Sequence, residues 1–266
     1  MRSIPDKCLA AMIGLLPLPG SPDFSGFNGD VISQALSDLE HYMRAGVDAI
    51  VIENSLDLPY IKPPLDDDAL ELVEFICKDI RQRFSGPIGL QLLEAANEDA
   101  LRIAAAADLD FVRVEGYVYA HIGGAGLIEG CAGKLQRLRK QLGCEQIQIF
   151  GDIKKKHCSH ALTGDLDVVD VARQADFFKT NGHILTGNRT GVPPLLSELE
   201  YLKASTETPV WIGSGMTAEN IDSYLQLADG FIVGSTFRKG GDFLETLDPE
   251  RLNCFVEHFK TIRKGS

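Results

Sequence analysis

Pro209-Val210-Trp211-Ile212-Gly213-Ser214-Gly215-Met216-Thr217 and Ala228-Asp229-Gly230-Phe231-Ile232-Val233-Gly234-Ser235-Thr236 are built alike. Each is a short apolar run, then Gly-Ser, then polar residues. A helix-like segment, Ala218 to Leu227, separates them. Two successive βα turns of this kind can aim backbone N–H groups at one phosphate. In (β/α)8 barrels the turns after strands 7 and 8 commonly do so. Glycine is needed because a Cβ would hold the backbone away from the anion. The pair predicts a closing β/α barrel with Gly213, Ser214, Gly215, Gly234 and Ser235 as the phosphate-binding residues.

The rest of the chain supplies the other strands of that barrel. Short β-branched runs occur at Met12–Leu16, Ala49–Ile52, Ile88–Leu92, Phe111–Val114, Ile147–Gly151 and Ile184–Thr186, and with Val210–Ile212 and Phe231–Val233 they make eight. Helical periodicity lies between them. Ile32, Leu36, Leu39 and Met43 share a face, as do Leu70, Val73, Ile76, Cys77 and Ile80. The same holds for Leu135, Leu138 and Leu142, for Val168, Val171, Ala172 and Ala175, and for Leu252, Val256 and Phe259. Repeated βα units imply a parallel sheet wrapped by helices. Eight units favour closure over an open sheet, and no G-x-G-x-x-G follows the first strand. The fold class expected is α/β, a single (β/α)8 TIM barrel over residues 1–266, close to the ~250 residues typical of that fold.

Composition narrows the function classes. The 266 residues are 44% hydrophobic and 24% charged, ordinary for a globular protein. A net charge of −12 argues against general nucleic-acid binding and against docking on anionic lipid. No run approaches the ~20 apolar residues of a membrane span. Cys8 to Leu18, preceded by Arg2 and Lys7, faintly imitates a signal peptide, but it reads better as the first strand. Six scattered cysteines without a Cys-x-x-Cys pair point to reduced thiols and a cytoplasmic protein. Barrels of this size often self-associate, so a homo-oligomer stays open.

Active sites of such barrels lie at the C-terminal ends of the strands. Glu53, Asn54 and Asp57 follow strand 2, Gln91 and Glu94 end strand 3, and Arg113 and Glu115 end strand 4. Asp152, Lys154, Lys156, His157 and His160 follow strand 5, and Thr186, Asn188 and Arg189 follow strand 6. Alternation places Asp152 and Lys154 on one side. An ion pair there would hold Lys154 cationic, as proton donor or as a clamp on an enolate. A desolvated lysine could instead form a Schiff base. Glu53 is a candidate base opposite Lys154, and Asn54 and Asp57 either hold a hydroxylated ligand or cap the following turn. Arg189 has the fork geometry for a phosphate or carboxylate. Arg113, inside a strand, needs a carboxylate, which Glu115 on the same face can supply. His157 and His160, with Asp152 or Glu53, offer ligands to a divalent metal, though His-x-x-His alone is not specific; the expectation is no cofactor.

Leu15-Leu16-Pro17-Leu18-Pro19-Gly20-Ser21-Pro22, Glu53-Asn54-Ser55-Leu56-Asp57-Leu58-Pro59-Tyr60 and Asp152-Ile153-Lys154-Lys155-Lys156-His157-Cys158-Ser159-His160 resemble motifs of the BtpA/SgcQ family. So do Thr186-Gly187 with Gly191, Pro193 and Pro194, and both Gly-Ser turns. The resemblance runs over nearly the whole chain. It implies a TIM barrel, and through the family's cyanobacterial namesake a link to photosystem I accumulation. Family members often carry Thr-Asp-Gln-Gly before Ile-Glu-Gly; here Ile122-Gly123-Gly124-Ala125-Gly126-Leu127-Ile128-Glu129-Gly130 lacks that polar stretch and keeps Glu129. This glycine-rich loop is expected to be mobile.

The expectation is an isomerase or lyase that moves protons on a small phosphorylated, sugar-like metabolite. Asp152, Lys154, Lys156, His157 and Glu53 would be catalytic; Asn54, Asp57, Glu129, Thr186, Asn188 and Arg189 would contact substrate. The alternatives are a non-catalytic biogenesis or stability factor and a metal-dependent hydrolase.

Overall fold

A computed structural model describes residues 2–264. The eight parallel strands are β1 (Cys8–Gly14), β2 (Ala49–Glu53), β3 (Ile88–Gln91), β4 (Phe111–Val114), β7 (Gln148–Ile153), β8 (Gly182–Leu185), β9 (Val210–Ile212) and β10 (Gly230–Val233). They close in the order β1-β10-β9-β8-β7-β4-β3-β2. A hairpin of β5 (His121–Gly123) and β6 (Gly126–Ile128) is inserted after β4. The chain folds as a TIM barrel. The first strand lies earlier than Met12–Leu16, because it pairs with β10 from Cys8 onward.

Among the described residues eight α-helices wrap the barrel: α1 (Asn28–Ala45), α2 (Asp67–Arg83), α3 (Asn97–Ala106), α4 (Ala132–Gln141), α5 (Val168–Phe177), α6 (Leu196–Lys203), α7 (Ile221–Leu225) and α8 (Pro249–Arg263). Their apolar stripes face the outer surface of the sheet. Leu72, Val73, Ile76, Cys77 and Ile80 of α2 are buried together, as the periodicity requires. Two helices start on Asp caps: Asp167 accepts from Val169 and Asp170 N–H, and Asp248 from Glu250 and Arg251 N–H. None of the helices described is long and apolar enough to cross a membrane. All six cysteines are free thiols.

The interior of the barrel is layered. Cys8, Ala10, Ala49, Val51, Phe111, Phe150, Ile184, Trp211 and Ile232 form a buried apolar plug. The Phe111, Phe150 and Trp211 rings meet at centroid distances of 5.0–5.6 Å. Each aromatic sits beside a glycine on the neighbouring strand: Gly89 opposite Phe111, Gly182 opposite Phe150, Gly230 opposite Trp211. A methyl group at any of the three glycines would fall onto its ring. Small and large residues thus alternate around the ring to fill a narrow cylinder. This plug floors everything above it.

Candidate functional site

The strands place a second interior layer two residues beyond the plug, because side chains alternate with period two. Glu53 follows Val51, Arg113 follows Phe111, Asp152 follows Phe150, Gly213 follows Trp211 and Gly234 follows Ile232. Glu53, Arg113 and Asp152 are all buried. Above them opens a cavity of about 440 Å3, walled by Glu53, Arg113, Glu115, Asp152, Lys155 and Lys156 on one side. Gly213, Ser214 and Gly215 with Gly234, Ser235 and Thr236 form the other.

Arg113 donates from Nε and Nη2 to the two carboxylate oxygens of Asp152, at 2.9 and 3.2 Å. Its Nη1 lies 3.9 Å from Glu53. Burial opposes charge on the guanidinium, but Asp152 and Glu53 outweigh it and raise the Arg113 pKa. The expected partner of Arg113, Glu115, is engaged elsewhere. Its carboxylate accepts from Lys155 Nζ at 2.8 Å, from Gln91 Nε2 at 3.1 Å and from the Ala95 N–H at 3.2 Å. Asn97 clasps the Glu115 backbone from both sides. Lys155 also approaches Glu94 at 3.5 Å. Burial pushes the Glu115 carboxyl up to about 7 against the pull of Lys155. A carboxyl that titrates near neutrality on a cavity wall is suited to move a proton in either direction.

The three consecutive lysines diverge. Lys154 has a left-handed φ of 46°, which ends the alternation of β7 and turns its side chain away from the cavity. It donates to the Leu166 carbonyl, outside the barrel mouth. The Asp152–Lys154 ion pair expected from alternation is therefore replaced by Asp152–Arg113. Lys156 faces the cavity, with Nζ 3.4 Å from Ser214 Oγ. Burial and the neighbouring Arg113 lower its pKa.

His157 lines the rim, and its Nε2 accepts from the Thr190 N–H at 3.2 Å, so the neutral ring carries its proton on Nδ1. This bond ties the β7 loop to the β8 loop. His160 instead bonds the Lys155 carbonyl and lies against His121, ring centroids 5.4 Å apart. The two histidines thus point into different neighbourhoods. Among the described residues, no group of three or more His, Cys, Asp or Glu side chains stands at metal-binding spacing.

The first Gly-Ser turn does what its glycine is needed for. Gly215 has φ 76°, and a Cβ there would enter the Val192–Pro193 backbone, so its glycine admits the β8 loop as well as any ligand. Among the described residues, the N–H groups of Ser214, Gly215 and Met216 donate to no protein acceptor. Thr236 Oγ1 donates to the Met216 carbonyl at 2.6 Å and fixes the β10 turn against the β9 turn. Asn220 braces the base of the same turn through the Gly215 carbonyl and the Thr217 N–H.

Other residues singled out in the sequence lie around this cavity. Arg189 lines it from the β8 loop. Asn54 and Asp57 brace loops instead: Asn54 Oδ1 accepts from the Leu93 N–H at 2.9 Å, and Asp57 from the Leu18 N–H at 3.0 Å. Thr186 is buried with its hydroxyl unpartnered, while Asn188 and Glu129 are exposed outside the cavity wall. The glycine-rich loop expected to be mobile forms the β5–β6 hairpin. Ile122 and Ser159 exchange backbone hydrogen bonds at 3.0 and 2.8 Å, and Glu94 accepts from the Ala125 N–H. Lys155 is not legible as a site residue in the sequence, because alternation counted from Asp152 points it outward.

Comparison with known proteins sets this geometry in a family. An uncharacterised mitochondrial protein of Caenorhabditis elegans, F13E9.13, is 37% identical over 95% of this chain and 93% of its own length. The photosystem I biogenesis protein BtpA of Synechocystis is 33% identical over 92% of this chain and 85% of its own length. The thiamine phosphate pyrophosphorylase of Pyrococcus furiosus superposes with a TM-score of 0.60, covering 96% of both chains, at 11% identity; that likeness is one of fold. The BtpA family profile matches residues 5–261, and the chain belongs to the BtpA family.

Proposed function

We propose that this barrel is an enzyme that binds a small phosphorylated, sugar-like metabolite and transfers protons on it, as an isomerase or lyase. One observation carries the reading. A single cavity is walled on one side by donor-rich glycine turns after the last two strands and on the other by buried, paired acids and bases. The first half suits a phosphate, since unpaired backbone N–H groups and a cation supply what a dianion loses on leaving water. The second half suits proton transfer.

Under this reading the phosphate sits on Ser214, Gly215, Gly234 and Ser235, with Arg189 at the rim. Glu115, held by Lys155 and Gln91, exchanges a proton with the carbon or oxygen that reacts. Glu53 and Asp152 accept hydroxyl hydrogens, and Arg113 holds both in place. Lys156 lies between the two halves. Lys154 has no part in the chemistry, since its amine is spent on the Leu166 carbonyl. That the structural neighbour is named for a phosphate ester accords with the phosphate half.

The test is thermal shift of the purified protein with inorganic phosphate and a panel of phosphosugars. A rise in Tm that Gly234→Asp abolishes supports the reading. A rise in Gly234→Asp equal to that in the parent, or none in the parent, overturns it. A second reading, a non-catalytic assembly factor, is favoured by the relative named as a photosystem I biogenesis protein. It expects no response to any phosphorylated compound, with recovery of one protein partner on co-purification.

A further inference from the structure

We propose that Lys156 is a carbonyl-capturing amine, and that the substrates of this cavity are phosphorylated aldehydes or ketones bound as an imine on its Nζ. The inference rests on the phosphate reading above and narrows its substrate class. It starts from the different fates of three neighbouring lysines. Lys155 is locked between Glu115 and Glu94, at 2.8 and 3.5 Å, and is held cationic. Lys154 faces out to the Leu166 carbonyl. Lys155 and Lys156 both line the cavity, but only Lys155 is paired there; among the described residues no carboxylate lies within ion-pair distance of Lys156. Among the described residues its one hydrogen-bond partner is the Ser214 hydroxyl, at a long 3.4 Å.

An amine in that environment holds its proton less firmly than a solvated lysine. Burial works against its charge and the Arg113 guanidinium, already committed to Asp152, repels a second cation; together they outweigh the opposing pull of Glu53 and Asp152. A neutral amine has a free lone pair. It also stands beside the turn that would fix a phosphate, so a carbonyl one or two carbons from that phosphate would be presented to it. The Nζ lone pair forms the C–N bond, the nitrogen passes one of its two protons to the oxygen and keeps the other, a second proton comes from the Glu115 carboxyl, and the C–O bond breaks to release water, leaving the protonated imine. Glu53, Asp152 and Glu115 line the same cavity and can take and return those protons. The resulting iminium is an electron sink that lowers the barrier to removing a proton from the adjacent carbon. Water reverses the sequence and frees the lysine.

Dihydroxyacetone phosphate with sodium cyanoborohydride tests this, because a ketone reacts sluggishly with protonated surface amines. Peptide mapping should find the reduced adduct on Lys156 and not on the exposed Lys134 or Lys239, and excess inorganic phosphate should suppress it. Lys156→Arg, which keeps a cation and the fold, should abolish it. If phosphate and the ketone raise Tm but no adduct forms on Lys156, the carbonyl proposal fails and the phosphate reading survives. A phosphate response lost in Lys156→Met but kept in Lys156→Arg, with no adduct, makes the lysine a phosphate clamp and also overturns the proposal. If no phosphorylated compound binds, the phosphate reading fails, and trapping with unphosphorylated glyceraldehyde decides the amine. Selective labelling of Lys156 then sustains it, and labelling spread over surface lysines refutes it.

Discussion

Phe111, Phe150 and Trp211 fill the barrel with touching rings, while Arg113, Asp152 and Gly213, one step of alternation further along the same strands, wall a cavity with charge and bare backbone. Both layers are buried by the same eight strands, yet they are held by different forces. The lower layer is stabilised by apolar area and close packing, which fade gradually with each atom removed. The upper layer depends on each charge keeping its partner, since a lone buried ion costs far more than a lost contact. A barrel can therefore carry reactive groups at its mouth only if the plug beneath supplies the stability they do not.

The largest effects should separate the two layers by whether they can be rescued. Trp211→Ala should cost about 3–5 kcal/mol in urea unfolding, through lost burial and the cavity left behind. Arg113→Met should cost about as much, because Asp152 would be left buried and unpaired. Adding Asp152→Leu to Arg113→Met should recover most of that loss, whereas no second truncation in the plug should recover Trp211→Ala. If the double variant is no more stable than Arg113→Met, the ion pair is not what holds the upper layer.

Overpacking comes next. Gly230→Ala should destabilise by about 1–3 kcal/mol, since its methyl must displace the buried Trp211 ring and not a flexible side-chain end. Gly26→Ala, with no atom within 4 Å of its new Cβ, isolates the cost of a left-handed φ without that clash. Equal losses in the two variants would mean that the glycine–aromatic pairing around the plug is incidental.

Much of this layering is legible in the sequence, and the failures have one cause. Strands Phe111–Val114 and Val210–Ile212 fall where apolar runs place them, and Glu53, Asp152 and the Gly-Ser turns meet at one mouth. Period-two alternation is enough for that, because it holds wherever the backbone stays extended. It stops at Ile153, where Lys154 takes a positive φ, so facing can no longer be counted along Lys154-Lys155-Lys156. The pairing of Arg113 with Asp152 over Glu115 also lies beyond counting. It depends on which strands adjoin, and β4 pairs with β7 in register Arg113 to Phe150, Val114 to Gly151. The β5–β6 hairpin, rich in glycine, has too little apolar pattern to announce itself.

A smaller, pH-dependent effect would show how the upper layer titrates. Glu115 is pushed up to about 7, so the folded state keeps a proton that the unfolded chain loses near pH 4.5. Its contribution to stability is complete below that unfolded value and is lost as pH rises through about 7. His121, lowered to about 4 by burial and by His160, works in the opposite sense. Its contribution is present above about 6.5 and is lost as pH falls through about 4. Between those limits the two slopes oppose each other. Glu115→Gln should make stability climb more steeply with pH than in the parent, and His121→Asn should make it flatter or falling. Urea midpoints measured from pH 4.5 to 7.5 that stay parallel in all three proteins would remove both groups from the account.

The smallest effect expected is also the one that bears most directly on the mouth. Lys154→Met deletes a charge and one hydrogen bond to the Leu166 carbonyl, at a half-buried site outside the cavity. A single neutral acceptor losing its donor costs about 0.5–1.5 kcal/mol, and the Met stem keeps most of the packing. The phosphate-induced rise in Tm should be unchanged within error, because Lys154 reaches neither the Gly-Ser turns nor the Arg113–Asp152 pair. Lys156→Met, two residues away, removes an amine that borders Ser214 and should alter that response strongly. The two variants differ by one turn of backbone at a left-handed residue and by nothing in composition. Equal responses would show that the mouth acts through its total charge, and unequal ones that position alone sets which lysine a ligand meets.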